Sequence, residues 1–292
     1  MKRRPELENK TVKERALELI RSGAAARVMG YRKGEFEYDH TPSLFESAED
    51  IEENFIFDEY SGANLSKYMI SASRKEGKTA VFLKPCDTYS LVQLTKEHRV
   101  LRENIIAVGV ACDGMYGEGR VLLGKCSTCK SKRMVGCDEL IGEQGEDCDT
   151  SRFEEVEKLE KMTPKERYEF FKGELGRCIR CNACRNVCPA CSCETCVFDN
   201  PDMIRNKAAA DSFEENMFHV IRAFHVASRC TDCGECSRVC PQKIPLHLLN
   251  RKFIKDINEF YGEYQAGADP DSVPPLYDYT QGDCEPSVIY GK

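Results

Sequence analysis

Cys178-Ile179-Arg180-Cys181-Asn182-Ala183-Cys184-Arg185-Asn186-Val187-Cys188-Pro189 is the stretch on which the reading of this chain turns. Three cysteines at intervals of three, a fourth after a step of four, and a proline behind it recur as Cys230, Cys233, Cys236, Cys240 and Pro241. Three thiolates so spaced wrap one side of a cubane cluster, and the fourth must come from elsewhere; in two-cluster ferredoxins the last cysteine of each run ligates the other cluster. The spacing therefore predicts one [4Fe-4S] cluster on Cys178, Cys181, Cys184 and Cys240, and a second on Cys230, Cys233, Cys236 and Cys188. The prolines turn the chain away after the final ligand and remove an amide donor. Structural zinc prefers CxxC pairs separated by a longer loop and closes on four ligands, which fits this doubled run poorly.

The rest of the cysteine inventory must be read beside these eight. The chain has 18 cysteines in 292 residues, and seven of them fall between Cys178 and Cys196. Disulfide partners are spaced around a fold, whereas cluster ligands converge, so the bunching argues against a disulfide scaffold. The start of the chain is charged, with no apolar stretch of a secretory signal, and no apolar run approaches the roughly 20 residues of a membrane span. Forty-nine acidic against 42 basic side chains give a formal charge of -7, which speaks against general affinity for nucleic acid. A cytoplasmic protein without a membrane span is expected.

Upstream of the runs the pattern is α/β. Val12 to Ala26 has helical spacing through Leu17, Leu19, Ile20 and Ala24, and residues 30–63 show little period and read as mostly irregular. Asn64 opens a further helix. Thr79 to Leu83 is a short apolar strand ended by Lys84-Pro85-Cys86-Asp87; Thr88 to Arg99 is helical; Ile105 to Val110 is a second apolar strand ended by Ala111-Cys112-Asp113-Gly114. Strand, helix, strand over this distance is a crossover with parallel strands. Cys86 and Cys112 then lie past the carboxyl ends of those strands, the edge where open α/β sheets bind ligands. With Cys126 and Cys129 they form a candidate four-thiolate set for a further cluster. Gly114, Gly117, Gly119 and Gly124 could admit a phosphate or a flavin nearby, without forming a known fingerprint.

From Gly142 to Thr150 the chain reads as a linker. Thr163-Pro164-Lys165-Glu166 is a capping box opening a helix. The 42-residue step from Cys188 to Cys230 includes an amphipathic helix, Glu214 to Ala227, which suits a helical ferredoxin module. Leu246 to Phe260 is a last helix, and an extended acidic tail follows Gly262. The domains expected are thus 1–150 (α/β, with a partly parallel sheet), 151–262 (α-helical, two clusters) and 263–292 (tail).

Cys191, Cys193 and Cys196 are a second candidate set, lacking a fourth ligand. Cys137, Cys148 and Cys284 have no partner at ligand spacing and read as plain thiols, and His219, His225 and His247 as core or surface residues rather than ligands. Arg180 and Arg185 lie in the first run, Asp232 and Glu235 in the second, so the first cluster is expected to have the higher potential.

Lys84-Pro85-Cys86-Asp87, Ile106 to Cys112 and Cys126-x-x-Cys129 resemble the β-subunit family of deazaflavin-reducing hydrogenases and formate dehydrogenases. Cys178 to Leu249, including Arg222-Ala223-Phe224-His225 and Ile244 to Asn250, resembles the two-cluster module of bacterial, heterodisulfide-reductase-associated members. The resemblance covers most of residues 12–260. It implies an electron-transfer subunit of an anaerobic complex, beside a formate dehydrogenase, hydrogenase or heterodisulfide-reductase-like partner. It also implies FAD and a further cluster in the α/β domain, at Cys86, Cys112, Cys126 and Cys129. Unlike the deazaflavin enzymes, this chain carries its ferredoxin runs after the α/β domain. Two functions follow: an electron wire relaying single electrons through two or more clusters, or a flavin-bearing catalytic subunit exchanging electron pairs with a soluble carrier.

Overall fold

The computed structural model describes residues 6–148, 151–200, 213–281 and 283, with only the backbone for 6–10 and 213–216. The chain divides into two compact units, Met1–Thr150 and Ser151–Lys292. Cys284 and the end of the tail lie outside the described residues.

The first unit is built around strand β4 (Thr79–Leu83), five residues with no exposed side chain. A run of apolar residues buried on both faces is what a central strand requires. β4 pairs in parallel with β1 (Arg27–Lys33) on one side and β5 (Ile105–Val110) on the other, and β5 pairs in parallel with β8 (Glu139–Ile141). β2 (His40–Phe45) adds antiparallel to β1, giving the order β2-β1-β4-β5-β8. The short β3 (Phe55–Ile56) pairs antiparallel with the second half of β1. Helices α1 (Glu6–Arg21), α2 (Ala48–Asn54), α3 (Ser66–Ala72) and α4 (Pro85–Lys96) complete the layers, with one apolar core running from Val12 to Val110.

Residues 30–63 are therefore not mostly irregular, as their pattern suggests. β1 is buried from Val28 to Tyr31 without alternation, because residues of both its faces, Val28, Met29 and Tyr31, pack into the apolar core. β2 carries Pro42, tolerated because the strand lies at the sheet edge. What holds this part is aromatic: Phe45, Phe55 and Phe82 stack edge-to-face at 5.5 and 5.6 Å, and Gly30 leaves room for the Phe55 ring. α1 ends at Arg21, before Gly23, whose φ of 72° carries the turn into β1.

The second unit is helical: α6 (Glu154–Glu160), α7 (Pro164–Leu175), α8 (Ala183–Val187), α9 (Phe213–His225), α10 (Glu235–Arg238) and α11 (His247–Tyr261). The capping box is formed, with Thr163 Oγ1 accepting from Glu166 N and Glu166 Oε2 from Thr163 N. Residues 263–281 contain no helix or strand. Among the described residues no single large apolar core holds the unit, only small clusters. One cluster is Leu175, Ile244 and Leu246 with Cys184 and Cys236, and another is Ala190 and Val226 with Cys188. A third, Val156, Leu159 and Leu248 with Phe170 and Phe171 against them, contains no cysteine, so thiols take the place of branched aliphatics in two of the three clusters. Among the described residues, no helix is long and apolar enough to cross a membrane.

Candidate iron–sulfur site

The two cysteine runs share a backbone as well as a spacing. The second residue after the first cysteine is left-handed in both, Arg180 and Asp232 each at φ 53°. So is the fourth, Asn182 at 61° and Gly234 at 69°. A short helix then starts at the fifth, α8 in one run and α10 in the other. Alternation of right- and left-handed residues points successive amide N–H groups toward one side, forming a concavity suited to anions. The sulfurs receive these amides: Arg180 N–H donates to Cys178 Sγ at 3.4 Å, and the amides of Asp232, Glu235 and Ser237 bond Cys230, Cys233 and Cys236.

The last cysteine of each run crosses over. Cys178, Cys181, Cys184 and Cys240 line one cavity together with Phe218 and His219. It has about 340 Å³ not filled by protein atoms, part of it open to solvent. The Cys184 thiol lies within electrostatic reach of the other three sulfurs. Cys188 in turn is within reach of Cys230, Cys233 and Cys236. Among the described residues no three ligand side chains gather tightly enough for a single metal ion.

Burial pushes the thiols of Cys184, Cys230, Cys233 and Cys236 upward, Cys236 to about 11. Sulfurs that are poor thiolates in the bare protein need a cationic partner to lose their protons, and iron supplies it. Cys188 differs: the Cys191 side chain hydrogen-bonds it, lowering its pKa to about 6. The donor set, the amides and the cavity all fit an inorganic cluster.

The charges that distinguish the runs are largely compensated. Asp232 is buried and bonded by Arg251 Nε at 2.8 Å, with Arg152 Nη1 at 3.5 Å. Glu235, fully buried, receives both Arg238 Nε and Nη2. Arg185 pairs with Asp199, and Arg180 lies over the Phe218 ring at 4.0 Å. The charge difference that favours a higher potential for the first cluster is thus reduced at its source.

Cys191, Cys193 and Cys196 have different surroundings. Cys191 bonds Cys188, Cys196 bonds the Arg185 side chain, and Cys193 is exposed.

In the first unit the Lys84-Pro85-Cys86-Asp87 segment ends β4 and starts α4. Asp87 Oδ2 accepts from Lys84 N at 2.9 Å and from Lys84 Nζ at 2.8 Å, while the ammonium also reaches Tyr31 Oη and Ala63 O. Lys84 is a buried structural cation with its partners in place. Cys86 sits beside it, pushed up to about 12 by burial and by Asp87, with the thiol of Cys112 in reach. Cys126, on the short α5 (Gly124–Ser127), accepts from Met115 N at 3.4 Å, and Cys129 Sγ donates to Ser131 O. Lys132 lies within reach of four thiols: Cys112, Cys126, Cys129 and Cys148.

Cys148 is the residue that spacing misses. An isolated antiparallel bridge between Ser131 and Asp147, with Cys148 N donating to Lys130 O at 3.0 Å, brings it against the Cys129 thiol. Cys137 sits apart, beside Gly109 and the Val135 carbonyl. Gly117 belongs to a hairpin of β6 (Tyr116–Gly117) and β7 (Val121–Leu122), and Gly119 makes its turn at φ 66°.

Residues 174–244 match the family model of a 4Fe-4S dicluster domain. The chain is similar to the F420-dependent formate dehydrogenase subunit beta of Methanocaldococcus jannaschii, 34% identical over 125 residues, or 42% of this chain and 32% of that protein. An uncharacterized iron–sulfur protein of the same organism is 35% identical over 92 residues, 31% of this chain and 18% of its own. The F420-dependent formate dehydrogenase 1 subunit beta of Methanococcus maripaludis is 22% identical across 88% of this chain and 90% of that one. The chain spans about a third of the length of the first relative and under a fifth of the second. A bacterial type finds no support in these relatives.

Proposed function

We propose that this chain, a member of the F420-dependent formate dehydrogenase β-subunit family with a 4Fe-4S dicluster domain, is the iron–sulfur electron-transfer subunit of a larger oxidoreductase complex. The observation that carries the reading is the exchange of final cysteines between two runs of matching backbone. Cys178, Cys181, Cys184 and Cys240 would hold one [4Fe-4S] cluster; Cys230, Cys233, Cys236 and Cys188 would hold the other. Such clusters, when bound, take up and release single electrons. The chain's own part is to hold them and to set their electrostatics. Interleaved ligands tie the two sites into one rigid piece, amides aimed at the sulfurs favour the thiolate form, and burial of Cys184, Cys188 and Cys236 keeps water from one side of each site.

A third cluster in the α/β unit would draw on Cys86, Cys112, Cys126 and Cys129, with Cys148 competing for the place of Cys86 because it touches Cys129. Partners are the catalytic subunits of a formate dehydrogenase-, hydrogenase- or heterodisulfide-reductase-like complex, in the cytoplasm. FAD at the strand edge would instead make the chain a flavin subunit meeting a two-electron carrier.

The test is an anaerobic count of iron, acid-labile sulfide and flavin per chain. About eight irons without flavin supports a two-cluster wire, and about twelve adds the α/β site. Stoichiometric flavin would replace the wire by the flavin reading, and an iron content near zero would refute both.

A further inference from the structure

Helix α9 carries two polar side chains that the ligand assignments leave unused. His219 and Arg222 are 1% and 2% exposed, among the most deeply buried polar groups of the second unit. Standing three residues apart, they project from one side of the helix. Both ring nitrogens of His219 lack a hydrogen-bond partner among the described residues, and the guanidinium of Arg222 finds no nitrogen or oxygen acceptor there, only the sulfur of Cys191. Arginine keeps its charge under all ordinary conditions and presents five donors. Burying that charge with no nitrogen or oxygen acceptor to receive it is among the least favourable arrangements a protein interior can hold.

The surroundings show what is missing. His219 lines the cavity of Cys178, Cys181, Cys184 and Cys240. Arg222 lies within electrostatic reach of Cys184 from that group and of Cys188 and Cys236 from the other, with Cys191 beside them. It is thus close to both ligand sets at once. The nearby carboxylates do not serve it: Asp232 is bound by Arg251 and Arg152, and Glu235 by Arg238. The acceptors left are the sulfur atoms of both ligand sets and of Cys191, and bound clusters would add the negative charge that they carry.

We propose that Arg222 is a shared counter-charge for both clusters, donating to sulfurs of each, and that His219 donates to the sulfurs of the Cys178-side cluster alone. The inference rests on the two-cluster reading above. A single positive charge placed between two sites stabilises the reduced, more negative state of each, so it raises both potentials together. Neutral His219 supplies a donor but no charge, and acts on one site only. Both are positioning residues for the clusters rather than ligands.

The test is a redox titration of the anaerobically loaded full chain, followed by EPR, with iron counted on every sample. R222M should shift both midpoint potentials to more negative values at unchanged iron content. H219L should shift one midpoint negative and leave the other. If R222M does not take up iron, R222Q replaces it; it removes the charge, keeps a donor, and should move both midpoints negative by a smaller step. Full iron content with both midpoints unmoved, or only one moved, in the arginine variant overturns the shared counter-charge. Movement of both midpoints in H219L overturns the assignment of His219. A wild-type chain holding about four irons or none would sink the two-cluster reading itself, which separates that failure from this one.

Discussion

Arg251→Met isolates the cost of a single buried ion pair beside one cluster site. In the intact chain Arg251 Nε donates to Asp232 Oδ1 at 2.8 Å and Nη1 donates to Arg152 O at 3.1 Å. The side chains of Asp232 and Arg251 are only 2% and 4% exposed. Methionine fills much of the same volume but leaves the carboxylate with Arg152 Nη1 alone, at 3.5 Å. Breaking a buried pair from one side costs about 3–5 kcal/mol, and the remaining Arg152 puts this case at the low end. That is a large share of the ~5–15 kcal/mol that holds an ordinary domain together.

The second effect is electrical. Asp232 lies between Cys230 and Cys233, and its amide bonds Cys230. An uncompensated charge at a separation on the order of 7 Å, with an effective dielectric near 20, is worth roughly 2 kcal/mol, or ~100 mV for one electron. The midpoint of the Cys230-side cluster should fall by up to that amount. The assay is a redox titration beside thermal unfolding of the same samples. The double variant D232N/R251M removes both charges, so it should bring the midpoint back and recover part of the stability, giving a coupling energy for the pair. A midpoint unmoved in R251M, with the iron content intact, would refute the reasoning, because Asp232 would then carry no charge that the cluster feels.

Three further outcomes follow from the same structure. C240A should remove iron from the site of the first run and C188A from that of the second, read by EPR of each variant; loss from the run to which each cysteine belongs in sequence would refute the exchange. In the first unit, Arg32 hydrogen bonds hold the Asp50 carboxyl below the usual range, and Asp138 is lowered because Arg102 and the Ala107 amide outweigh its burial. Both groups then bind protons more weakly folded than unfolded, so the stability they confer is present above about pH 4 and lost as pH falls through their folded values. Hydrogen exchange of the β1 and β4 amides should show that loss and show less of it in D50N/D138N; an equal loss would contradict it. Phe82→Ala empties a fully buried site against Phe55 and should cost about 3–5 kcal/mol in denaturant unfolding, where a cost under about 1 kcal/mol would mean the aromatic stack does not hold the sheet.

How far the sequence reaches depends on whether a signal is local. β4 and β5 are legible because buried parallel strands read as short apolar runs, and the cysteine runs because cluster ligands must be closely spaced. β1, β2 and β3 are not, since β1 is buried on both sides with no alternation and its support, the Phe45–Phe55–Phe82 stack, joins residues far apart. Within the runs, Asn182 and Gly234 advertise their left-handed backbone, whereas Arg180 and Asp232 at the same φ do not. Cys148 reaches Cys129 through a pairing across the intervening loop, which no spacing rule reports. For His219 and Arg222 the shared helix side is readable, but their deep burial is a property of the packed unit.

The account stands most directly on two clusters close enough to exchange electrons within one chain. Dithionite reduction of the anaerobically reconstituted full chain, followed by EPR at increasing reducing equivalents, addresses that claim. The account predicts a signal from one reduced [4Fe-4S] cluster that broadens and splits as the second is reduced, from magnetic interaction between neighbours. Two independent, non-interacting signals, or a single cluster at full reduction, would contradict it.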